Sequence, residues 1–132
     1  MNISAIVRSS SSRHDVAVST AGAAKSISIP AKPVGGSAIN GGEFLMLALA
    51  TCYCNDLYRE AARLDISIDS VEVEASAEFP GVGLAATNIR YRAKVSSPRP
   101  AAQIAELLRQ TDAVAEVHNT LRAGVAVTME MA

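Results

Sequence analysis

The sequence contains no tryptophan, few aromatic residues and only two cysteines, and these absences exclude several classes of protein. Aromatic residues make up 4% of the 132 residues, too few for a surface on which nucleic-acid bases stack. The 12 basic and 13 acidic residues leave a net charge of −1, so no general positive field attracts nucleic acid or anionic lipid. Hydrophobic residues make up 49% of the chain, which excludes an intrinsically disordered protein.

The few cysteines and histidines do not form a familiar metal-binding pattern. Two cysteines cannot make a disulfide framework, and His14 and His118 lie far from Cys52 and Cys54 in sequence. We therefore expect no metal site, and we expect both histidines at the surface or in helix caps. The glycines before Glu43 are not followed by the Gly-Lys-Ser/Thr of a phosphate loop, so we expect no cofactor.

No segment of the sequence is typical of membrane insertion or export. The longest apolar run, Phe44–Ala50, is far shorter than the roughly 20 residues that span a bilayer. The first twelve residues lack the charged start and apolar stretch of a signal peptide. We therefore expect a soluble protein of the cytoplasm.

The pattern of hydrophobic residues predicts an α+β fold in a single domain over residues 1–132. Alternation of apolar and polar residues predicts strands, and longer runs without proline or glycine predict helices. The predicted strands cover residues 3–7, 16–18, 27–29, 71–79, 87–95 and 125–131, and the shorter helices cover 104–108 and 114–121. Opposite charges on the polar faces of residues 71–79 and 87–95 predict that these two strands pair antiparallel.

A long helix over Phe44–Leu64 is the clearest predicted element. Asn40 followed three residues later by Glu43 is typical of a capping box. The first half of the helix is apolar on all sides, so we expect it to be buried, and the amphipathic second half to emerge toward solvent. We expect an antiparallel sheet to wrap around this helix and a second subunit to cover the remaining apolar surface, in a homodimer.

The two cysteines of this helix lie on different faces. Cys52 and Cys54 point roughly 200° apart at about 100° per residue, so they cannot form a disulfide with each other. Free cysteines most often behave as small buried hydrophobic residues. A reactive thiol would instead have to ionise, which requires a nearby cation or hydrogen-bond donors.

The residues near Cys52 on the helix do not supply an obvious cation. Asp56 lies four residues later, within contact range, and its charge would raise the pKa of the thiol. Arg59 lies about 10 Å farther along the axis. We therefore expect an activating arginine from the N-terminal strands, where Arg8 and Arg13 are the candidates.

Several segments resemble the OsmC/Ohr family of thiol peroxidases. The sequence GGEFLMLALATCYCNDL, with an acidic residue nine positions before Cys52, is similar to the family's buried helix. The turn that carries Arg13 looks like the family's Gly-Arg turn, and VHNTLRAGVAVTME looks like the stretch after its second cysteine. The resemblance implies an intertwined homodimer whose active sites, at the subunit interface, reduce organic hydroperoxides. It also implies that Cys52 attacks the peroxide, assisted by Glu43 and Arg13.

The chain departs from that family at the second cysteine. The family sequence Cys-Pro-Val corresponds here to Ala115, Glu116 and Val117. A two-cysteine cycle that ends in a disulfide is therefore unavailable within one chain, and the charge of Glu116 would disfavour a thiolate. Helical spacing also places Glu43 about 180° from Cys52, so any cooperation between them requires another residue or the other subunit.

Three functions remain open from the sequence. The first is a thiol-dependent peroxidase that uses only Cys52 and is reset by an external thiol. The second is a catalytically inactive dimer that binds a small apolar ligand at the subunit interface. The third is a structural dimer whose cysteines belong to the core. Neither nucleic acid nor a membrane is expected as a partner.

Overall fold

The computed structural model describes residues 1–132 and divides them into two compact units, Met1–Phe44 and Leu45–Ala132. Antiparallel strands and three helices make the chain an α+β protein, as predicted from the sequence. None of the three helices has both the length and the apolar character needed to cross a bilayer.

The first unit contains a three-stranded antiparallel sheet. Its strands are β1 (Ile3–Ser9), β2 (His14–Thr20) and β3 (Ala23–Ile27), in the order β1-β2-β3. Ala21 and Gly22 connect β2 to β3 with positive φ angles of 49° and 85°, the conformation that a tight two-residue hairpin turn requires. The first two predicted strands are confirmed, whereas the predicted third strand, residues 27–29, shares only Ile27 with β3, which lies almost entirely before it.

The long helix, α1 (Gly41–Arg63), begins at the predicted capping box. The Asn40 side-chain oxygen accepts a hydrogen bond from the Glu43 N–H at 2.8 Å, and the Glu43 carboxylate accepts one from the Asn40 N–H at 3.0 Å. These reciprocal bonds satisfy two backbone donors that a helix start leaves without intrahelical partners. The helix then continues into the second unit.

The second unit pairs a β-hairpin with the rest of α1 and two shorter helices. Strand β4 (Ser70–Glu78) pairs antiparallel with β5 (Thr87–Ser96), and their register sets Glu72 opposite Lys94 and Glu74 opposite Arg92. This confirms the pairing predicted from the charges. Helices α2 (Ala101–Val114) and α3 (Glu116–Ala123) follow, and α3 ends at Gly124, whose φ of 61° is the left-handed conformation favoured by glycine.

The core of the second unit lies between α1, α2 and the hairpin. Its buried members are Tyr53, Leu57, Ala61, Leu107 and Ala115, and the inward-facing residues of β4 and β5 pack against them. Spacings of four residues place Tyr53, Leu57 and Ala61 on one face of α1. This stripe holds α1 against the hairpin and fixes the direction in which the helix presents its other side chains.

Two sequence predictions are wrong. The buried residues of α1 run from Leu49 to Ala61, whereas the apolar first half is only partly buried. The reason is that the four-residue stripe, rather than overall apolarity, matches the hairpin. The predicted last strand is also absent, because residues 125–132 have no regular secondary structure and no strand beside them to supply hydrogen bonds.

Candidate functional site

Cys52 lies half-buried between two carboxylates that come from different helices. Its Sγ lies 3.6 Å from Asp56 Oδ2, to which the thiol donates a hydrogen bond, and 4.0 Å from Glu116 Oε2. Asp56 is one helical turn after Cys52 on α1, which confirms the predicted contact. Glu116 is the first residue of α3, so the packing of α3 brings the second carboxylate to the sulfur.

Arg59 forms ion pairs with the other oxygen of each of these two carboxylates. Its Nη1 lies 3.0 Å from Asp56 Oδ1 and 3.5 Å from Glu116 Oε1. Arg59 therefore reaches the carboxylates beside Cys52, although no contact joins it to the sulfur itself. A long side chain on a helix points back toward the N-terminus, so Arg59 reaches the carboxylates although its backbone lies farther along α1. The i,i+3 spacing of Asp56 and Arg59 was the signal in the sequence.

The surroundings of Cys52 oppose ionisation of its thiol. Burial raises the pKa of Cys52, and the charges of Asp56 and Glu116 raise it further. A hydrogen bond from the backbone N–H of Val117, in the first turn of α3, acts in the opposite direction. Because the raising effects are larger, the thiol is mostly protonated at neutral pH.

Asp56 is the buried member of this group. Its side chain is 6% exposed, whereas that of Glu116 is 69% exposed. Burial and the charge of Glu116 raise the pKa of Asp56, although Arg59 lowers it. A carboxylate of raised pKa that already accepts the S–H hydrogen bond is a suitable acceptor for the thiol proton.

Arg13 and Glu43, the other predicted catalytic residues, belong to the first unit. Arg13 is exposed and pairs with Asp15 at 3.0 Å. Glu43 is occupied in the capping box of α1. Their cooperation with Cys52 stays a prediction.

A second polar group is buried beside the aromatic residues of this unit. His118 is 3% exposed, and neither of its ring nitrogens has a hydrogen-bond partner. Its ring packs against Tyr91 with centroids 4.4 Å apart. The expectation that His118 lies at the surface is wrong, because α3 turns this side chain toward the core. Burial, and then the charge of Arg122, lower the pKa of His118, so the imidazole is neutral at pH 7.

His118 also lines a small cavity in the second unit. The cavity has a volume of about 210 Å³. Leu49, Ile89 and Leu121 form its apolar walls, and Tyr91 and Arg122 complete the lining. Such a lining, mostly apolar with a few polar groups, is typical of sites for small ligands.

Both the sequence and the fold of this chain resemble known proteins. A family model described as OsmC-like protein matches residues 34–130. No curated protein matches the chain. An OsmC-like protein from Mycoplasma pneumoniae superposes with a TM-score of 0.64 at 17% identity, over 92% of this chain and 86% of that one.

Two further solved structures carry names that refer to organic hydroperoxide resistance. The Legionella pneumophila protein has a TM-score of 0.61 at 14% identity and covers 92% of this chain and 90% of its own. The Elizabethkingia anophelis protein has a TM-score of 0.63 at 14% identity and covers 92% and 89%. At such low identity these likenesses establish the fold. The family model matches about three quarters of the sequence, and this chain therefore belongs to the OsmC-like protein family.

Proposed function

We propose that this protein reduces small organic hydroperoxides through a one-cysteine cycle at Cys52. The observation that carries the proposal is the half-buried Cys52 thiol, which donates its hydrogen bond to the carboxylate of Asp56. A nucleophile next to a proton acceptor is the arrangement that thiol chemistry requires. Membership of the OsmC-like family supports a redox role, as do the names of two structural neighbours.

In the first step the sulfur is oxidised by two electrons. Asp56 takes the S–H proton as the sulfur attacks the outer peroxide oxygen, and the O–O bond breaks. The terminal hydroxyl oxygen is transferred to the sulfur, which becomes a sulfenic acid. The alkoxide is the leaving group, and it takes the proton from Asp56 to become an alcohol. Atoms and electrons therefore balance as thiol plus hydroperoxide giving sulfenic acid plus alcohol.

In the second step an external thiol restores Cys52. The first thiol molecule condenses with the sulfenic acid to give a mixed disulfide and water, and a second releases Cys52 and a low-molecular-weight disulfide. Cys54 does not serve as the resolving thiol, because its position on α1 prevents a bond to Cys52. Low-molecular-weight thiols are abundant in the reducing cytoplasm, where we propose that the protein acts.

We further propose that the active species is a homodimer. Residues 125–131 alternate like a strand yet have no partner strand, and Val127 and Met129 are 98% and 82% exposed. A second copy that pairs with this segment would cover them. In such a dimer Arg13 and Glu43 would complete the site around Cys52. Sedimentation should give a dimer at micromolar concentration, and a stable monomer would contradict this part of the proposal.

The proposal is tested by hydroperoxide consumption in the presence of dithiothreitol and a metal chelator. The wild-type protein should consume cumene hydroperoxide and dithiothreitol in equal amounts, since each turnover oxidises one dithiol. Cys52→Ser should fall to the uncatalysed rate, whereas Cys54→Ser should retain the wild-type rate. Loss of the rate in Cys54→Ser with retention in Cys52→Ser would contradict the proposal.

A catalytically inactive dimer that binds a small apolar ligand is the second candidate. It is favoured by the raised pKa of Cys52 and by the apolar walls of the cavity beside His118. The fluorescent probe 1-anilinonaphthalene-8-sulfonate distinguishes the two candidates. Tight binding to a wild-type protein that consumes no hydroperoxide, abolished by Leu121→Arg, would favour this function over the peroxidase.

A further inference from the structure

The cavity beside His118 lies between α1, β5 and α3, and it is separate from the thiol site. Its six lining residues are Leu49, Ile89, Tyr91, His118, Leu121 and Arg122, and they include neither Cys52 nor the carboxylates that contact it. The volume of about 210 Å³ exceeds the roughly 150 Å³ of an engineered apolar cavity that binds benzene. The cavity therefore has room for one aromatic ring with a short substituent.

His118 is the polar residue of this lining whose hydrogen bonds are unmade. Its side chain is 3% exposed, and neither Nδ1 nor Nε2 has a partner. Burial, and then the charge of Arg122, lower the pKa of His118, so the ring at pH 7 is neutral and has one donor and one acceptor. A buried donor or acceptor without a partner costs free energy. A ligand that supplies the missing partner therefore gains affinity from this residue.

The other two polar side chains of the lining already have partners. The Tyr91 hydroxyl donates a hydrogen bond to Asp112, and Arg122 forms an ion pair with the same carboxylate at 2.6 Å. Arg122 also donates a hydrogen bond to Asn119 Oδ1 at 3.2 Å. Because Asp112 balances the charge of Arg122 and the ring of His118 is neutral, the lining has no uncompensated charge. Such a lining favours an uncharged ligand.

We infer that this cavity binds a small uncharged hydroxyl compound, an alcohol or a phenol whose apolar body is about the size of a benzene ring. Leu49, Ile89 and Leu121 contact the apolar body. The hydroxyl pairs with His118, because it can donate to the unprotonated nitrogen or accept from the other. The χ2 torsion of histidine is broad, so rotation of the ring turns a nitrogen toward the ligand.

A water molecule meets these requirements less well than a hydroxyl compound. A buried water makes hydrogen bonds to about two to four polar groups, whereas His118 is the one residue of the lining with both a donor and an acceptor unpaired. An alcohol needs a single polar partner, since the rest of its surface is apolar. The mixture of apolar walls and one unpaired polar group therefore selects an amphipathic ligand.

The inference names the ligand class for the second candidate function, and in that respect it rests on the proposal that this cavity is a binding site. It does not require catalysis at Cys52. Binding of benzyl alcohol should persist in Cys52→Ser, in which hydroperoxide consumption should fall to the uncatalysed rate. Failure of the cavity and failure of the peroxidase are therefore separate results.

The test compares benzyl alcohol with ethylbenzene, in which a methyl group replaces the hydroxyl. Binding to the full-length protein is followed by the NMR signals of the Leu49 and Leu121 methyl groups and of the His118 ring nitrogens. Benzyl alcohol should shift all of these signals saturably, with a dissociation constant of about 1 mM or below. Ethylbenzene should shift the methyl signals and leave the ring nitrogens unchanged, because it forms no hydrogen bond.

Two variants separate the polar contact from the apolar walls. His118→Phe keeps a buried aromatic ring and should weaken benzyl alcohol relative to ethylbenzene by about 3–10-fold, as expected for one hydrogen bond. Leu121→Arg places a charge in the apolar wall and should abolish binding of both compounds. Leu84→Arg is the matched control, because this leucine is exposed and lies outside the lining, and it should retain binding of both.

Circular dichroism of each variant verifies that the fold is retained. The absence of saturable shifts when benzyl alcohol is added to the wild-type protein would overturn the inference. Methyl shifts without any response of the His118 ring nitrogens would do so as well, and this readout needs no variant. Equal weakening of benzyl alcohol and ethylbenzene in a folded His118→Phe would also show that His118 does not select the hydroxyl.

Discussion

Cys52 and Cys54 lie two residues apart on α1, both half-buried, yet their surroundings differ completely. Both thiols are free, but Cys52 contacts the carboxylates of Asp56 and Glu116, whereas Cys54 contacts neither. The helical rotation between them decides which sulfur meets the start of α3. The comparison shows that the reactivity of a cysteine on α1 depends on the face of the helix that carries it. Cys54 therefore serves as an internal control for the effect of Asp56 and Glu116 on the Cys52 thiol.

The largest expected effect comes from restoring a second cysteine. Ala115→Cys places a thiol two residues before Val117, whose N–H reaches the Cys52 sulfur. One equivalent of cumene hydroperoxide should then convert Cys52 and the new cysteine to a disulfide, which thiol titration and peptide mass spectrometry detect. Ala115 is fully buried, so the variant should also lose about 1–3 kcal/mol of stability from overpacking. A disulfide between the new cysteine and Cys54, with Cys52 left free, would contradict the difference between the two cysteines.

The next largest effect concerns the cation that holds the carboxylates. Arg59→Leu leaves the buried Asp56 without its ion pair, and we expect a loss of about 1–3 kcal/mol in the free energy of unfolding. Arg92→Leu is the matched control, because Arg92 pairs with Glu74 on the exposed face of the hairpin and should cost at most about 1 kcal/mol. Chemical denaturation measures both. Equal losses would show that the surroundings of Cys52 are not distinctive.

A smaller effect is expected in the reactivity of the thiol. Burial, and then the charges of Asp56 and Glu116, hold the pKa of Cys52 above its ordinary value. Glu116→Gln removes one of these charges, so the pKa of Cys52 should fall. The thiolate fraction at pH 7 should rise, by about tenfold if the pKa falls by one unit. Site-resolved alkylation with iodoacetamide, with chelator present, measures this rate. Cys54 in the same protein should be unchanged, and Glu72→Gln should leave both cysteines unchanged.

The smallest expected effect is in the pH dependence of stability, which depends on His118 and not on the carboxylates at Cys52. Because burial lowers the pKa of His118 in the folded chain, the unfolded chain binds a proton more readily, with a pKa of about 6.5. Stability should therefore decrease as the pH falls below about 6.5 toward the folded value. His118→Phe should reduce this slope in the free energy of unfolding. An unchanged slope in His118→Phe would assign the acid sensitivity to other groups.

Local patterns made much of the fold predictable from the sequence. The capping box of Asn40 and Glu43, the register of β4 with β5 and the glycine that ends α3 all depend on residues close in sequence or on simple charge alternation. The contact of Asp56 with Cys52 follows from one helical turn. These features need no knowledge of how distant elements pack.

The remaining features depend on tertiary packing. Glu116 meets Cys52 only because α3 docks against α1, and the apparent surface residue His118 becomes buried for the same reason. Residues 125–131 alternate like a strand but need a neighbour to form one. The burial of α1 follows the stripe that matches the hairpin, which overall apolarity does not reveal.

The most direct test of the central claim is the trapping of a sulfenic acid. The protein is treated with one equivalent of cumene hydroperoxide in the presence of dimedone and chelator, and the modified peptide is identified by mass spectrometry. We predict one dimedone adduct per chain, at Cys52, and none at Cys54. The absence of any adduct, or an adduct at Cys54, would contradict the assignment of Cys52 as the reactive residue.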